Sequence, residues 1–522
     1  MTENIHVASS VSPIAASLSS RARLFETDHL QHDLRRRSVR GAVATMLGQA
    51  ARFAIQLAGV AVLARLLLPV DFGVFGKTIA LTGFITVIQT GGLSLATIQR
   101  REITHEQIST LFWLNAAFGV MAGILIAALS PAMAWFYKDP RVLWLGLALA
   151  GAVAIAGLSV QHDALMQRQM RFTEIALINF IALVAGLAAA ILSAWHGAGY
   201  WALAVQQYVY SLTLLLLLLA FCRWLPSWPR GGAGVRPMVK FGIHQTGFNL
   251  LNFANRNFDN VLIGRFVTDA ALGFYTQAYR LLLLPMTQIN GPVSAVVVPV
   301  LSRLQDQPER YARFYYQAIG AITFLGMPII SFLLVDSRPV VLLVLGPNWL
   351  EVVPIFQALG VAAFVGTFNV AWGWVYISLG RTGRQLKWQV LVSTPATFAA
   401  FFAGLHWGAV GVAASFSSVT LLLTIPSLTY CFHGTPIRID TMLQTLARPA
   451  AAAVIAGAVL WGVRSMGPIW SAHWTILPDF MIYGVAYLGV WMAVPGGRVQ
   501  LGRLLKFAND LRPASRAARE AT

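Results

Sequence analysis

The stretch FGIHQTGFNLLNFANRNFDNVLIGR, residues 241–265, decides the fold, because it is long enough to span a membrane yet carries polar side chains along one face. These side chains recur at steps of four, three, four and three residues, which places them in one stripe on an α-helix. The apolar residues between them can face lipid or neighbouring helices. The stripe consists of Gln245, Asn249, Asn252, Arg256 and Asp259.

Two interpretations of this stripe are open. Amides and charges are unfavourable in lipid, so the stripe faces either a wet or ligand-filled cavity or a buried structural network. Arg256 favours the cavity, because an unpaired guanidinium in hydrocarbon costs roughly 3 kcal/mol or more. An ion pair between Arg256 and Asp259, one turn apart, is the alternative. The cavity interpretation predicts Gln245, Asn249, Asn252 and Arg256 as substrate-binding residues.

The composition is that of a polytopic α-helical membrane protein. Of the 522 residues, 57% are hydrophobic and only 11% are charged, and the mean hydropathy is positive, which excludes a soluble protein. No cleavable signal peptide is expected, because the first apolar run is too long for a signal core. Fourteen apolar runs are predicted as membrane-spanning helices, and the first, seventh and tenth of them are the most polar: 41–63, 78–98, 109–130, 142–161, 174–195, 200–222, 241–263, 281–302, 314–335, 353–379, 386–406, 408–432, 447–464 and 475–494.

The location of the positive charge predicts the orientation of these helices. The net charge is +18, which in a soluble domain would suggest a nucleic-acid partner. Along the predicted spans, however, 28 of the 38 Lys and Arg residues lie in, or at the helix ends next to, alternate loops and the two tails, and only 8 lie in or next to the intervening loops. This asymmetry predicts that both termini are cytoplasmic, and it explains the charge without nucleic acid. The two cysteines predict neither a disulfide nor a metal site.

A weak internal repeat relates the two halves of the chain. An offset of 200 residues superimposes Arg65 on Arg265 and Gly73 on Gly273, and both copies follow a polar helix. Six helices separate the copies, which predicts two parallel six-helix lobes related by an axis along the membrane normal. The predicted units are a flexible cytoplasmic tail at 1–38, an N-lobe at 39–232, a C-lobe at 233–433, two extra helices at 434–496 and an amphipathic cytoplasmic tail at 497–522.

The first helix carries a shorter polar stripe, Gln49, Arg52 and Gln56, at steps of three and four. Under the 200-residue offset it occupies the place of the stripe on helix seven, so we predict these three residues as further substrate-binding residues. The alternative for Arg52 is that its side chain reaches the cytoplasmic membrane surface, since it lies only about 16 Å of helix from Gly41.

Several motifs carry a family resemblance over about residues 38–500. They are ARLLLP at 64–69, NFD at 257–259 running into LIGRF at 262–266, LGFY at 272–275, AYR at 278–280, PVLSR at 299–303 and LGPNW at 345–349. Together they resemble the polysaccharide transporter (Wzx-like, WzxC-type) family of oligosaccharide-lipid flippases, in the multidrug/oligosaccharidyl-lipid/polysaccharide exporter superfamily. Members often continue the GRF run with Leu-Gly, where this chain has Val267 and Thr268.

The resemblance implies both a fold and a function. The fold would be an all-α, V-shaped pair of six-helix lobes around a central cavity. The function would be movement of a polyprenyl-pyrophosphate-linked oligosaccharide to the periplasmic leaflet of the bacterial inner membrane, for exopolysaccharide, capsule or O-antigen synthesis. Membrane lipids, a polysaccharide polymerase and export machinery would be partners, and no cofactor is expected. A multidrug or cation exporter of the same superfamily is the alternative, because fold alone does not separate substrates.

The chemistry of the stripes favours the sugar lipid. Arginine binds phosphate in a bidentate manner, and amides donate to and accept from sugar hydroxyls. A cation exporter should offer carboxylates, and the only acidic residue well placed in the stripes is Asp259, which we predict as a possible ion-coupling residue. A membrane enzyme is disfavoured, because the predicted outside loops are short and no Asp-x-Asp motif occurs.

The predicted topology can be tested by cysteine labelling. A membrane-impermeant thiol reagent added from outside is expected to label Gly197→Cys, in a predicted outside loop, and not Thr382→Cys, in a predicted inside loop. Strong labelling of Thr382→Cys in intact cells would contradict the orientation.

Overall fold

The computed structural model of the protein describes residues 34–89, 103–229, 236–466 and 475–493, together with residues 94, 97, 98, 497 and 502. These residues are almost entirely helical and include no strand, which confirms the all-α class. Among the described residues, ten α-helices precede residue 351: α1 Leu34–Leu66, α2 Pro69–Gln89, α3 His105–Tyr137, α4 Pro140–Arg168, α5 Phe172–Trp195, α6 Trp201–Cys222, α7 Arg236–Phe266, α8 Asp269–Arg303, α9 Pro308–Val335 and the short α10 Ser337–Val344. Six follow: α11 Val352–Ser378, α12 Thr382–Trp388, α13 Thr394–Gly404, α14 Gly408–Phe432, α15 Ile439–Ser465 and α16 Ile476–Ala493.

Within the described ranges these helices make the fourteen predicted membrane-length segments. The short α10 is additional, and α12 and α13 are two parts of one segment, joined by a π-helical turn at Gln389–Ser393. Eleven stretches are apolar enough to cross a membrane, and one of them, Thr382–Phe432, contains two segments. The remaining two segments are the polar helices α1 and α7, whereas α11, also predicted as polar, qualifies. The chain is therefore a multi-pass membrane protein.

Several helices extend beyond their apolar runs. The helix α2 begins at Pro69 rather than at residue 78, and α8 begins at Asp269 rather than at 281. The hydroxyl of Thr268 accepts the backbone N–H of Ala271 at 3.1 Å, which satisfies a free donor in the first turn of α8. Similarly, α1 begins at Leu34, within the predicted tail 1–38. The rest of that tail, residues 1–33, and the predicted amphipathic tail at 497–522, apart from residues 497 and 502, lie outside the described residues.

Among the described residues, Trp228 is exposed at one end of the helical bundle, where it follows α6, and four further strongly exposed tryptophans lie at the other end. These four lie where alternate helices end, so the alternation of the chain places them on the same side. Tryptophan is enriched at the membrane–water interface because its ring is amphipathic. We call this end, where α1 ends and α2 begins, the outer end. The residues are Trp135, Trp195, Trp407 and Trp461, with 81%, 76%, 73% and 68% of their surface exposed.

The two lobes cross at the outer end through a pair of glycines. A Cβ atom at Gly73 would lie 1.8 Å from the carbonyl oxygen of Asp269, and one at Gly273 would lie 2.0 Å from that of Pro69. Both pairs, Gly73 with Gly273 and Pro69 with Asp269, are separated by 200 residues in the sequence. This reciprocal contact is the one that two lobes related by a two-fold axis between α2 and α8 would make. It agrees with the repeat found in the sequence.

The last two helices pack on the C-lobe beside α9. Among their contacts, the hydroxyl of Ser331 on α9 donates to the carbonyl of Ala453 on α15 at 2.9 Å. The hydroxyl of Tyr487 on α16 donates to the carbonyl of Phe324 on α9 at 3.0 Å. Both bonds give a side-chain hydroxyl an acceptor that lipid would not provide.

The glycine crossing predicts a selective effect of added methyl groups. Gly73→Ala and Gly273→Ala should each destabilise the protein by about 1–3 kcal/mol, because the new methyl would overlap a backbone carbonyl that cannot move independently. Gly291→Ala, on the same helix α8, is the matched control, since nothing lies within 4 Å of its Cβ position. The measurement is the midpoint of thermal unfolding in lipid nanodiscs. Equal midpoints for Gly273→Ala and Gly291→Ala would contradict the close crossing.

Candidate substrate-binding site

A cavity of about 340 Å³ lies in the C-lobe against the polar helix α7. Its wall is formed by α7, α8, α11 and α14, and it is mostly apolar with a few polar groups, as is usual for a small-molecule site. Arg256 contributes the charged group. The lining residues are Arg256, Tyr279, Leu282, Leu283, Met286, Thr287, Asn290, Leu359, Ala362, Ala363, Gly366, Asn369, Phe416 and Thr420.

Two amide oxygens in this wall have no hydrogen-bond donor among the described residues. They are the Oδ1 atoms of Asn290 on α8 and Asn369 on α11, and both are buried. A buried carbonyl oxygen without a donor is unfavourable by about 1–3 kcal/mol, so it favours a ligand or water that donates to it. The cavity therefore combines a guanidinium donor with two amide acceptors that are ready to bind hydroxyl groups.

The carboxylate of Asp259 does not neutralise Arg256. Its Oδ2 atom accepts the hydroxyl of Tyr275 at 2.7 Å, and its Oδ1 atom accepts the backbone N–H of Asn260 at 2.8 Å. Only 5% of Asp259 is exposed, and it is absent from the lining of the cavity. Within the described part of the chain Arg256 forms no ion pair, and its surface is exposed. The guanidinium therefore remains available to an anionic ligand.

A second cavity, of about 300 Å³, adjoins the first and contains another arginine. The two cavities share the lining residues Tyr279, Leu283 and Thr287, all on α8. Arg280 lies in the second cavity. The predicted spans place Arg280 in an outside loop, because the apolar run starts only at residue 281. Its position directly after Tyr279 on the extended helix α8 brings a second positive charge to the site.

The other predicted residues of the α7 stripe have different surroundings. Asn249 and Asn252 are half-buried. The Oδ1 atom of Asn252 accepts a hydrogen bond of 3.3 Å from Nε2 of Gln389, which lies in the π-helical turn between α12 and α13. This contact is of the structural kind that the sequence left open as the alternative. The side chain of Gln245 lies outside the described residues.

The stripe on α1 lies apart from the C-lobe cavity. Gln49 and Arg52 are exposed and Gln56 is half-buried, and none of the three is among the residues that line the cavity around Arg256. Arg52 and Asp163, which lies on α4, are both close enough to Tyr210 on α6 to interact with it electrostatically. The structure thus places the α1 stripe with polar groups of the N-lobe.

The outer end of the molecule is joined by an ion network between the lobes. Lys77 on α2 and Arg141 on α4 both bind the carboxylate of Asp269, the first residue of α8. Asp139, which caps α4, completes the network at 3.3 Å from Lys77 and 2.9 Å from Arg141. Burial alone would raise the pKa of Asp139, but the hydrogen bonds from Arg141 and the charge of Lys77 outweigh it and hold this pKa below its ordinary value. We call these four residues the outer ion network.

Two further contacts close the same end. Arg65, at the end of α1, donates to the carbonyl of Leu343 at 2.6 Å and to that of Val344 at 3.3 Å, both on α10. The indole of Trp349 donates to the carbonyl of Ala64 at 2.7 Å. The lobes are therefore held together by polar contacts at their outer ends.

Comparison with known proteins identifies the family. The sequence profile of a family described as "Polysaccharide biosynthesis protein" matches residues 62–354, which is more than half of the chain. The chain belongs to this family. It is 26% identical over 400 residues to the lipopolysaccharide biosynthesis protein WzxC of Escherichia coli, and the match covers 76% of this chain and 80% of WzxC. It is also 26% identical to the teichuronic acid biosynthesis protein TuaB of Bacillus subtilis, over 73% of this chain and 80% of TuaB.

Solved structures show the same fold. The lipid II flippase MurJ, in an inward closed conformation, superimposes with a TM-score of 0.70 over 86% of this chain and 97% of MurJ, at 13% identity. An inward-facing multidrug resistance transporter of the MATE family gives a TM-score of 0.53 over 78% of this chain and 95% of that protein, at 14% identity. At these identities the likeness concerns the fold alone.

The available guanidinium predicts that the purified protein binds pyrophosphate. Arg256→Ala should weaken binding of inorganic pyrophosphate about tenfold or more, because a charge-assisted hydrogen bond contributes about 1.5–3 kcal/mol. Isothermal titration calorimetry in detergent measures this effect, with the exposed Arg438→Ala as the matched control. Since Asp259 does not pair with Arg256, adding Asp259→Ala should not restore binding. Recovery in the double variant would instead support the ion-pair interpretation.

Proposed function

We propose that the protein is a flippase that moves a polyprenyl-pyrophosphate-linked oligosaccharide across the bacterial inner membrane for assembly of a cell-surface polysaccharide. The names of its relatives support this proposal, since WzxC, TuaB and the succinoglycan biosynthesis transport protein ExoT of Rhizobium meliloti are all named for polysaccharide synthesis. ExoT is 24% identical over 68% of this chain. The product would be an exopolysaccharide, a capsule or an O-antigen.

The observation that carries the proposal is the uncompensated charge of Arg256 beside the acceptor oxygens of Asn290 and Asn369. A pyrophosphate group supplies the negative charge that Arg256 lacks, and its oxygens suit the fork of a guanidinium. Sugar hydroxyls supply the donors that the two amide oxygens lack. The combined cavities are small relative to a whole lipid-linked oligosaccharide, so they would hold the head group at its phosphate end. The polyprenyl chain would stay in the lipid.

The proposed mechanism is alternating access by rocking of the two lobes. The outer ion network closes the outer end in the described conformation, so the head group would enter from the inner side. We propose that Arg52, Gln49 and Gln56 on α1 contact the head group from the N-lobe, while the α7 stripe contacts it from the C-lobe. Opening the outer end would then release the substrate to the periplasmic leaflet.

The alternative of a cation exporter is less well supported by the cavity. A cation would need a carboxylate in the cavity wall. Asp259 is buried, accepts a hydrogen bond from the hydroxyl of Tyr275 and does not line the cavity. We therefore propose Asp259 as an ion-coupling residue and not as a substrate ligand. A polysaccharide polymerase and the export machinery are proposed partners, because they would consume the translocated repeat unit. Both termini are proposed to be cytoplasmic.

The charge of the substrate gives the proposed transport an energy source. A pyrophosphate-linked lipid carries about two negative charges, and the cell interior is negative. Each elementary charge that crosses 100 mV gains roughly 2.3 kcal/mol, so outward movement of two charges gains about 4 to 5 kcal/mol. Positive charges that return with the empty protein would reduce this gain.

The function is tested by flipping of a labelled lipid-linked oligosaccharide in reconstituted vesicles. The membrane potential is set with K⁺ and valinomycin, with no Na⁺ or pH gradient, so that it is the sole driving force. We expect wild-type protein to flip the lipid in the direction that moves negative charge toward the positive side, and Arg256→Ala to flip at least about tenfold more slowly.

The control variant changes an arginine outside the cavity. Arg438→Ala, which changes an exposed arginine, should flip at the wild-type rate. No flipping by wild-type protein would contradict the proposed function. Flipping with a rate and distribution unchanged by reversal of the potential would contradict the electrogenic drive alone, and would direct attention to Asp259.

A further inference from the structure

A second group of buried charges lies outside both lobes' polar stripes, where the last two helices meet α9. Asp336 follows α9 directly, Arg464 lies in the last turn of α15, and Asp479 lies in the first turn of α16. One nitrogen of Arg464, Nη2, lies 2.8 Å from Asp336 and 2.8 Å from Asp479. Both carboxylates are completely buried, and the side chain of Arg464 is 17% exposed. We call these three residues the acidic triad.

The acidic triad is incompletely hydrogen-bonded. The Oδ2 atom of Asp479 accepts a hydrogen bond from Arg464, which also donates to the hydroxyl of Thr475 at 3.1 Å. The other oxygen of Asp479 and both oxygens of Asp336 accept none from the described residues, because the approach of Arg464 to Asp336 lacks hydrogen-bond geometry. Three of the four buried carboxylate oxygens are thus without a donor among the described residues. Burying a charged oxygen without a hydrogen bond is strongly unfavourable.

The charge of the acidic triad is also unbalanced. The outer ion network pairs two cations with two carboxylates, and every member contacts a group of opposite charge. The acidic triad has two carboxylates and one guanidinium, which leaves one negative charge withdrawn from water. A buried unpaired carboxylate is avoided by taking up a proton or by coordinating a cation.

We propose that the acidic triad is a binding site for one monovalent cation, H⁺ or Na⁺, held between Asp336 and Asp479. A proton would turn one oxygen into the donor that its neighbour lacks, and Na⁺ would be coordinated by the free oxygens. Two carboxylates beside an arginine leave only one net negative charge, which suits a monovalent cation better than a divalent one. The site is independent of the proposed transport function.

The surroundings in the described ranges contain no further charge that compensates the triad. From α16, Tyr483 donates its hydroxyl to the carbonyl of Ala453 instead. From α10, the side chain of Ser337 accepts the amide of Gln357 at 2.9 Å, and Arg338 is exposed. Burial raises the pKa of Asp336 to about 6, since the lowering effect of Arg464 does not outweigh burial and the negative charge of Asp479.

The position of the site indicates what the cation would do. The triad joins the outer ends of α15 and α16 to the bend between α9 and α10, and these are separate elements of the chain. Bound cation would remove the repulsion between Asp336 and Asp479 and hold the helix pair on the C-lobe. Loss of the cation would loosen this contact at the outer end.

The test is thermal unfolding of the full-length protein in nanodiscs, followed by tryptophan fluorescence. Because the pKa of Asp336 is raised in the folded state, a bound proton stabilises the fold, and this stabilisation is lost as the pH rises between about 4 and about 6. In the Na⁺ arm, NaCl is compared with choline chloride at about pH 8, above the pKa of about 6 of Asp336. We expect the wild-type midpoint to rise in acid if the cation is H⁺, and with NaCl at about pH 8 if it is Na⁺.

Asparagine variants separate a cation site from a purely structural ion pair. Asp479→Asn removes the unbalanced negative charge of the triad, so in choline chloride at about pH 8 its midpoint should equal or exceed that of wild type, and it should lose the response to acid or to Na⁺. Asp336→Asn is the second variant and should behave in the same way. Asp440→Asn, which changes an exposed carboxylate paired with Arg438, should keep the wild-type response.

Two results would overturn the proposal. One is that neither Na⁺ nor acid raises the unfolding midpoint of the wild-type protein more than it raises the midpoints of the two asparagine variants. The other is a midpoint that falls by the same amount at every pH and salt in both variants, which is the behaviour of a structural ion pair that has lost one partner.

Discussion

The rest of the structure depends on the contact between the backbones of α2 and α8 at the outer end. Gly73 and Gly273 have no side chain, so each helix can approach the first residue of the other until its carbonyl nearly touches the glycine. This approach sets the axis that relates the lobes. It also brings Lys77 and Arg141 within reach of Asp269, so the outer ion network forms only where the glycines have allowed the helices to meet.

The polar side chains of α1 and α7 make insertion of these two helices into the membrane less favourable. Lipid-facing helices gain from continuous apolar surface, yet these two interrupt it with amides and arginines, and neither is apolar enough to rank with the others. In α7 the polar groups serve different purposes. Asn252 is hydrogen-bonded to Gln389 and Asp259 to Tyr275, which are structural contacts. Arg256 instead lines the cavity. The stripe therefore combines the two interpretations that its sequence left open.

The sequence was sufficient for those parts of the fold that local composition controls. Apolar runs predicted the fourteen segments, and the 200-residue offset found the glycines that meet at the crossing. Hydropathy predicts Lys77 and Arg280 in loops, because it reports only which residues favour lipid. The helices α2 and α8 begin before their apolar runs, since backbone hydrogen bonds can form outside lipid and a cap such as Thr268 satisfies the first turn of α8.

The remaining features depend on partners far apart in the chain. The cavity brings Asn290 and Asn369 to Arg256 from two other helices, and no spacing rule relates them. The acidic triad likewise joins Asp336 to Arg464 and Asp479 across more than a hundred residues. Their polar character was visible in the sequence, but which polar residue meets which is set by tertiary packing.

The outer ion network and the acidic triad also differ in what opening the outer end would require. Asp269 contributes both its backbone to the glycine crossing and its carboxylate to the outer ion network, so separation of α2 from α8 must break both contacts together. Taking an ion pair out of water is unfavourable, and returning its members to water recovers that hydration energy. A neutral network at a mouth that opens to water can therefore hold the lobes firmly when dry and release them at modest net cost. The acidic triad lies off this crossing and its two carboxylates are fully buried. Opening the outer end would therefore not return them to water, and their unbalanced charge would be compensated by the proposed cation.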